Sequence, residues 1–85
     1  MTLESFGEEL RKLRQERHIS LMDISSSTRI NMKFLEAIEA GRFSVLPQTY
    51  IRAFLREYAE SVGATVEEIL SKYHEATHGE SISGG

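Results

Sequence analysis

Apolar side chains recur at intervals of three and four residues along most of this 85-residue chain, a spacing that is typical of amphipathic α-helices. In the first such segment, Phe6, Leu10 and Leu13 fall on one helical face. No segment shows the strict alternation of apolar and polar residues that indicates a half-buried strand. The pattern therefore predicts an all-α protein, a bundle of five short helices at about residues 4–17, 21–28, 31–41, 47–62 and 65–76.

Residues that begin or end helices stand at the predicted boundaries. Ser20, Asn31 and Thr65 can each cap a helix N-terminus with a side-chain oxygen, and Pro47 suits the first turn of the fourth helix. Two glycines, at positions 41 and 63, stand where a left-handed C-terminal cap belongs. Helical spacing also predicts an almost fully buried core, which contains Leu10, Leu13, Ile24, Leu35, Ile38, Leu55 and Val62.

The helical pattern fades near the C-terminus. The last eight residues, HGESISGG, have no apolar periodicity, which is typical of a linker or a chain end. We therefore expect one domain at residues 1–77 and a flexible tail or the start of a linker at residues 78–85.

Composition and charge exclude several classes of protein. The chain contains no cysteine, so it has neither disulfides nor thiolate metal sites. No apolar run approaches the roughly 18 residues that a membrane span needs. His74 and His78 lie one helical turn apart, but the sequence specifies no third ligand and no catalytic motif, so we predict no metal site, no cofactor and no enzymatic activity. The net charge of −3 argues against strong nucleic-acid binding, because such binding depends on neutralising phosphates.

Residues 20–41, SLMDISSSTRINMKFLEAIEAG, combine a short helix, a tight connection and a second helix. This segment resembles the helix-turn-helix of XRE-type, lambda repressor-like proteins, whose second helix enters the DNA major groove. A DNA-binding transcriptional regulator is therefore the alternative function, with contacts from Arg29, Met32 and Lys33. However, the methionine offers no hydrogen bond to a base, and residues 31–41 carry one lysine against two glutamates. We predict only weak, salt-sensitive binding to DNA.

A longer segment, residues 6–63, resembles the cytoplasmic domain of the RodZ-like bacterial cell-shape proteins. The most specific matches are FLEAIEAGRFSVLP and, after the proline, YIRAFLREYAESVG. The resemblance implies a cytoplasmic adaptor that binds the actin-like filament protein MreB and links it to the membrane and the wall-synthesis machinery. In that family the membrane is reached through a transmembrane segment that this chain does not contain.

The fourth helix contains the aromatic residues that a partner would contact. From the residues alone, the aromatics are better explained as core, in a bundle that wraps this helix from several sides, because aromatic residues at helical spacing are usually buried. The resemblance implies a contact through two aromatic residues four positions apart, which match Phe54 and Tyr58, and it favours a partly exposed pair. We expect this pair to form the partner-binding site together with Tyr50, Arg52, Arg56 and Lys33, the arginines lying at its rim. Dimerisation through the same helix is compatible with either function.

Overall fold

Five α-helices form the described part of the chain, as the sequence predicts, and residues 1–83 contain no strand. The computed structural model describes residues 1–83, and the side chains through His78. The helices are α1 Leu3–Glu16, α2 Leu21–Thr28, α3 Met32–Ala40, α4 Ile51–Ser61 and α5 Val66–Ser83. Two 3₁₀ turns, Phe43–Val45 and Gln48–Tyr50, connect α3 to α4.

Side-chain caps begin the helices of the helix-turn-helix unit. The Ser20 hydroxyl accepts a hydrogen bond from the backbone N–H of Asp23, whose carboxylate accepts one from the backbone N–H of Ser20. The Asn31 side chain accepts from the backbone N–H of Lys33. Each bond satisfies an N–H group that has no partner within its own helix, which confirms the predicted starts of α2 and α3.

Left-handed glycines end α3 and α4, as predicted. Gly41 has φ 76° and Gly63 has φ 73°. In both places the next residue donates its N–H back into the helix, from Arg42 to the Ala37 carbonyl and from Ala64 to the Ala59 carbonyl. This pattern is the Schellman motif, which requires a positive φ that glycine adopts without steric cost. Arg29, between α2 and α3, adopts φ 64° without that advantage.

Two helix boundaries differ from the prediction. Pro47 has an extended ψ of 113° and precedes the 3₁₀ turn, so α4 begins only at Ile51. The Gln48 side chain stabilises this connection by donating to the carbonyls of Phe43 and Leu46. At the other end, α5 continues to Ser83, because no proline interrupts residues 77–83. Gly84 and Gly85 lie outside the described residues, and the division into a domain and a tail at residue 78 stays a prediction.

The core is apolar and draws on all five helices. Six of the seven predicted core residues are buried, but Leu13 is only partly buried. The Leu13 side chain lines a cleft of about 310 Å³ between α1 and the α4–α5 connection. One side of Leu13 therefore faces this cleft and is not covered by the core. The largest of the fully buried side chains are those of Tyr58, Phe6, Leu10, Ile24, Leu35, Ile38, Leu55 and Val62.

The helices α1 and α3 lie close together at Gly7. A Cβ atom at this position would lie 2.6 Å from the carbonyl oxygens of Ile38 and Glu39. Only glycine permits this approach, and it brings the second half of α1 close enough to α3 for Arg14 to reach Glu39.

Candidate protein-interaction surface

Three aromatic rings form a continuous row at the surface where α3 and α4 meet. Phe54 stacks on Phe34 with ring centroids 5.8 Å apart, and it stacks on Tyr50 with centroids 6.1 Å apart, both at an interplanar angle of 25°. Tyr50 is 58% exposed, whereas the two phenylalanines are partly buried. We call these three residues the aromatic row.

The aromatic row follows from the helical spacing of α4 and from the cap of α3. Tyr50 and Phe54 are one helical turn apart and therefore lie on the same flank of α4. The core-facing stripe of that helix contains Ile51, Leu55 and Tyr58, so Phe54 falls beside the stripe and not within it. The third ring comes from the first turn of α3, which the Asn31 cap fixes.

Tyr58 belongs to the core, so the predicted exposed Phe54–Tyr58 pair is wrong. Its side chain is 0% exposed, and its hydroxyl donates to Oε2 of Glu39 at 2.5 Å and lies 3.1 Å from the carbonyl oxygen of Leu10. Burial and the hydrogen bond to the Glu39 carboxylate together raise the pKa of Tyr58 well above its ordinary value. The pair with the same four-residue spacing that reaches the surface is the exposed Tyr50 and the partly buried Phe54, one turn earlier.

A charged pair beneath the surface connects α1 to α3. Arg14 donates from Nε to Oε2 of Glu39 at 2.7 Å and from Nη2 to Oε1 at 3.1 Å, a bidentate geometry. Its Nη1 donates to the carbonyl of Ile19 at 2.8 Å. The hydrogen bond with Glu39 is the main cause that raises the pKa of Arg14. Neither residue was among the predicted site residues, although Arg14 lies four residues after the buried Leu10 and Glu39 directly follows the buried Ile38.

The two arginines of α4 do not lie at the rim of the aromatic row, contrary to the prediction. Arg52 and Arg56 are each two residues from Phe54, so they project from the helix about 160° away from it. Both are exposed. The positive charge of Arg52 acts on Tyr73 of α5, where it opposes the rise in pKa that burial causes. The exposed residue of α4 on the flank of Phe54 is Glu57, three positions later.

The three residues predicted to contact DNA differ in their exposure to solvent. Lys33 is exposed and directly precedes Phe34 of the aromatic row. Met32 is partly buried, and Arg29 is exposed in the turn between α2 and α3. The exposed surface of α3 also contains Glu36, which would repel a phosphate. Lys33 is therefore the single cation that α3 presents to solvent within its described length.

Neither a metal cluster nor a membrane span is found in the described part of the chain. No three His, Cys, Asp or Glu side chains among the described residues are grouped so as to hold an ion. The rings of His74 and His78 lie 4.2 Å apart on α5. No helix within residues 1–83 is long and apolar enough to cross a membrane.

Residues 9–69 match the model of a protein family described as helix-turn-helix domain. Three curated relatives are similar to the chain. The cytoskeleton protein RodZ of Streptococcus pneumoniae is 36% identical over 74 residues, which are 86% of this chain and 27% of the relative. The uncharacterized membrane protein YmfM of Bacillus subtilis is 34% identical over 56 residues, 65% of this chain and 19% of the relative. The transcriptional regulator DdrOP3 of Deinococcus deserti is 36% identical over 63 residues, 74% of this chain and 45% of the relative. The chain thus spans less than half the length of each of these relatives.

A solved structure of the bacterial actin MreB in complex with the cell-shape protein RodZ contains a similar chain. The two chains superpose with a TM-score of 0.79 and are 34% identical. The match covers 89% of this chain and 94% of the other.

Proposed function

This chain belongs to the helix-turn-helix domain family and is of the RodZ-like type, and from that membership we propose that it binds an MreB-like actin filament protein. In this role it is a non-catalytic adaptor domain of bacterial cell-shape control. The solved relative was captured in complex with MreB, and the similarity covers nearly all of that chain. A link to the membrane and the wall-synthesis machinery is part of this proposal, as is a position on the cytoplasmic side.

The aromatic row is the observation that supports a protein partner. Tyr50 leaves 58% of its surface in water while its ring stacks on Phe54. Aromatic side chains that are already ordered by stacking present a large apolar area at a small entropic cost, and such residues are enriched at the centres of protein interfaces. We propose Tyr50 and Phe54 as the anchors, with Phe34 as their support.

Charge around the aromatic row would orient the partner. Lys33 adjoins the row on α3, and Glu57 adjoins it on α4. Exposed charges at the edge of an interface change the association rate and the salt dependence more than the affinity. Arg52 and Arg56 lie on the opposite flank of α4, so we expect them to contribute little to this contact.

DNA binding is the second candidate, because one relative is a transcriptional regulator with the same domain. It is the weaker of the two proposals for a chemical reason. Arginine, lysine, asparagine and glutamine read base edges in the major groove, and the first turn of α3 offers only one of them, Lys33, beside a methionine that has no hydrogen bond to give. The nearby Glu36 further disfavours a phosphate backbone.

Co-sedimentation of the purified chain with MreB filaments tests the proposal. Tyr50→Ala and Phe54→Ala should each weaken binding by about 2 kcal/mol or more, as truncation of interface anchors does. Arg56→Ala, on the opposite flank of the same helix, is the matched control and should bind as the unchanged chain does. Thermal unfolding of each variant shows whether a loss of binding reflects unfolding.

Two results would contradict the proposal. The first is full co-sedimentation by a folded Tyr50→Ala/Phe54→Ala double variant. The second is a tight complex with one DNA duplex at physiological salt that Lys33→Ala abolishes while MreB does not bind, which would establish the DNA-binding alternative.

A further inference from the structure

The buried Tyr58–Glu39 hydrogen bond and the Phe34–Phe54 stack of the aromatic row join the same two helices. Tyr58 is one helical turn after Phe54 on α4, and Glu39 is five residues after Phe34 on α3. The same two helices therefore carry both the exposed ring contact and the buried hydrogen bond. The hydrogen bond joins the hydroxyl to Oε2 over 2.5 Å.

The helices α3 and α4 have little other direct contact. α3 packs mainly on α1 and α2, whereas α4 packs mainly on α5 and α2. Among the residues with described side chains, the Tyr58–Glu39 bond is the only side-chain hydrogen bond between α3 and α4. The Phe34–Phe54 stack is the one ring contact between these two helices over the same residues. The spacing of the two rings at the surface thus depends on few direct contacts.

Arg14 fixes the acceptor of this hydrogen bond. Both oxygens of Glu39 are held by the guanidinium, which is in turn held by the carbonyl of Ile19. A carboxylate fixed in this way has one orientation, and the Tyr58 hydroxyl therefore meets it with one geometry. The charged pair of α1 and α3 thereby fixes the acceptor that Tyr58 of α4 meets.

We propose that Tyr58 and Glu39 are positioning residues for partner binding, because their hydrogen bond sets the distance between Phe34 and Phe54. This inference rests on the proposed function, since it assigns a buried pair to the same docking surface. Tyr58 does not touch the partner. Tyr58 acts by holding the rings of the aromatic row in place, and Arg14 acts by fixing the carboxylate of Glu39 that Tyr58 meets.

The test replaces Tyr58 with Phe, which removes the hydroxyl and keeps the ring. Tyr73→Phe is the matched control, because the Tyr73 hydroxyl makes no hydrogen bond with the described residues and its ring packs on Phe6 and Phe43, away from the aromatic row. Nuclear magnetic resonance measures nuclear Overhauser effects between the Phe34 and Phe54 rings, without any partner. All measurements are made at a temperature at which circular dichroism shows both variants folded.

We expect Tyr58→Phe to weaken the Phe34–Phe54 nuclear Overhauser effects and to shift the ring resonances, and Tyr73→Phe to leave them unchanged. Binding to MreB should weaken by roughly fivefold, within the range found when a residue acts on a site it does not touch. In a Phe34→Ala background the effect of Tyr58→Phe on binding should disappear, because the ring that it places is absent.

Unchanged ring resonances in folded Tyr58→Phe would overturn the inference, whatever happens to binding. So would an equal loss of binding in the Phe34→Ala background, since the hydroxyl would then act by another route. If the rings move but the unchanged chain does not bind MreB, the positioning role stands and the proposed partner is wrong. The two failures are therefore distinguishable.

Discussion

Gly7 offers a sharp test of the packing between α1 and α3, because alanine there has two opposite effects. Alanine is favoured over glycine in a helix interior by about 1 kcal/mol. At this position, however, the added Cβ would lie 2.6 Å from the carbonyl oxygens of Ile38 and Glu39 and 2.8 Å from the carbonyl carbon of Glu39. Ordinary contacts between such atoms are about 3.5 Å, so the helices must separate by somewhat under 1 Å.

The clash should outweigh the gain in helix propensity. Overpacking of a filled interior costs about 1–3 kcal/mol, and backbone atoms of α3 cannot rotate away as a flexible side chain does. We expect Gly7→Ala to lower the free energy of unfolding by up to about 2 kcal/mol net, because the gain in helix propensity offsets about 1 kcal/mol of the clash. A change of 1 kcal/mol shifts the melting temperature of a domain of this size by about 4–8 °C.

Thermal and urea unfolding, followed by circular dichroism, measure this effect. Glu8→Ala is the matched control, because Glu8 is the exposed neighbour on the same helix and its truncation should change stability by less than about 0.5 kcal/mol. A Gly7→Ala variant that melts higher than the unchanged chain would refute the argument, since it would mean that α1 and α3 are not in contact at this residue.

Three further predictions concern stability and DNA. Because the pKa of Tyr58 is raised, the folded state keeps its proton when the unfolded state loses it above pH 10. The stability of the unchanged chain should therefore fall as pH rises above about 10, by up to about 1.4 kcal/mol per pH unit more than that of Tyr58→Phe in urea melts. Leu35→Ala should cost roughly 2–5 kcal/mol, because Leu35 is 0% exposed, and an unchanged melting temperature would contradict its core position. Binding to duplex DNA should be weak, without sequence preference, and lost with added salt in fluorescence anisotropy, and a sequence-specific complex that depends on Lys33 would contradict this expectation.

Local features of the sequence were sufficient to predict the five helices and most of their ends, although not the start of α4 or the end of α5. Ser20 and Asn31 cap the helices that they were expected to cap, and Gly41 and Gly63 adopt the left-handed conformation. These features depend on a few neighbouring residues, because a helix cap or a positive φ is decided within one turn of backbone. The resemblance to RodZ-like proteins likewise extends over consecutive residues and was confirmed by the family and by the solved relative.

Only the tertiary structure decided that Tyr58 is completely buried and forms no exposed pair with Phe54. Helical spacing places Tyr58 on the same face of α4 as Ile51 and Leu55, but spacing alone does not determine how far the other helices cover that face. Burial of Tyr58 depends on two other helices. Glu39 of α3 accepts a hydrogen bond from the Tyr58 hydroxyl, and the carbonyl oxygen of Leu10 in α1 lies next to the same hydroxyl. Such contacts join residues that are far apart in the chain, and no pattern along one helix contains them. The exposed partner of Phe54 is Tyr50 because α1 and α3 already occupy the side of α4 on which Tyr58 lies.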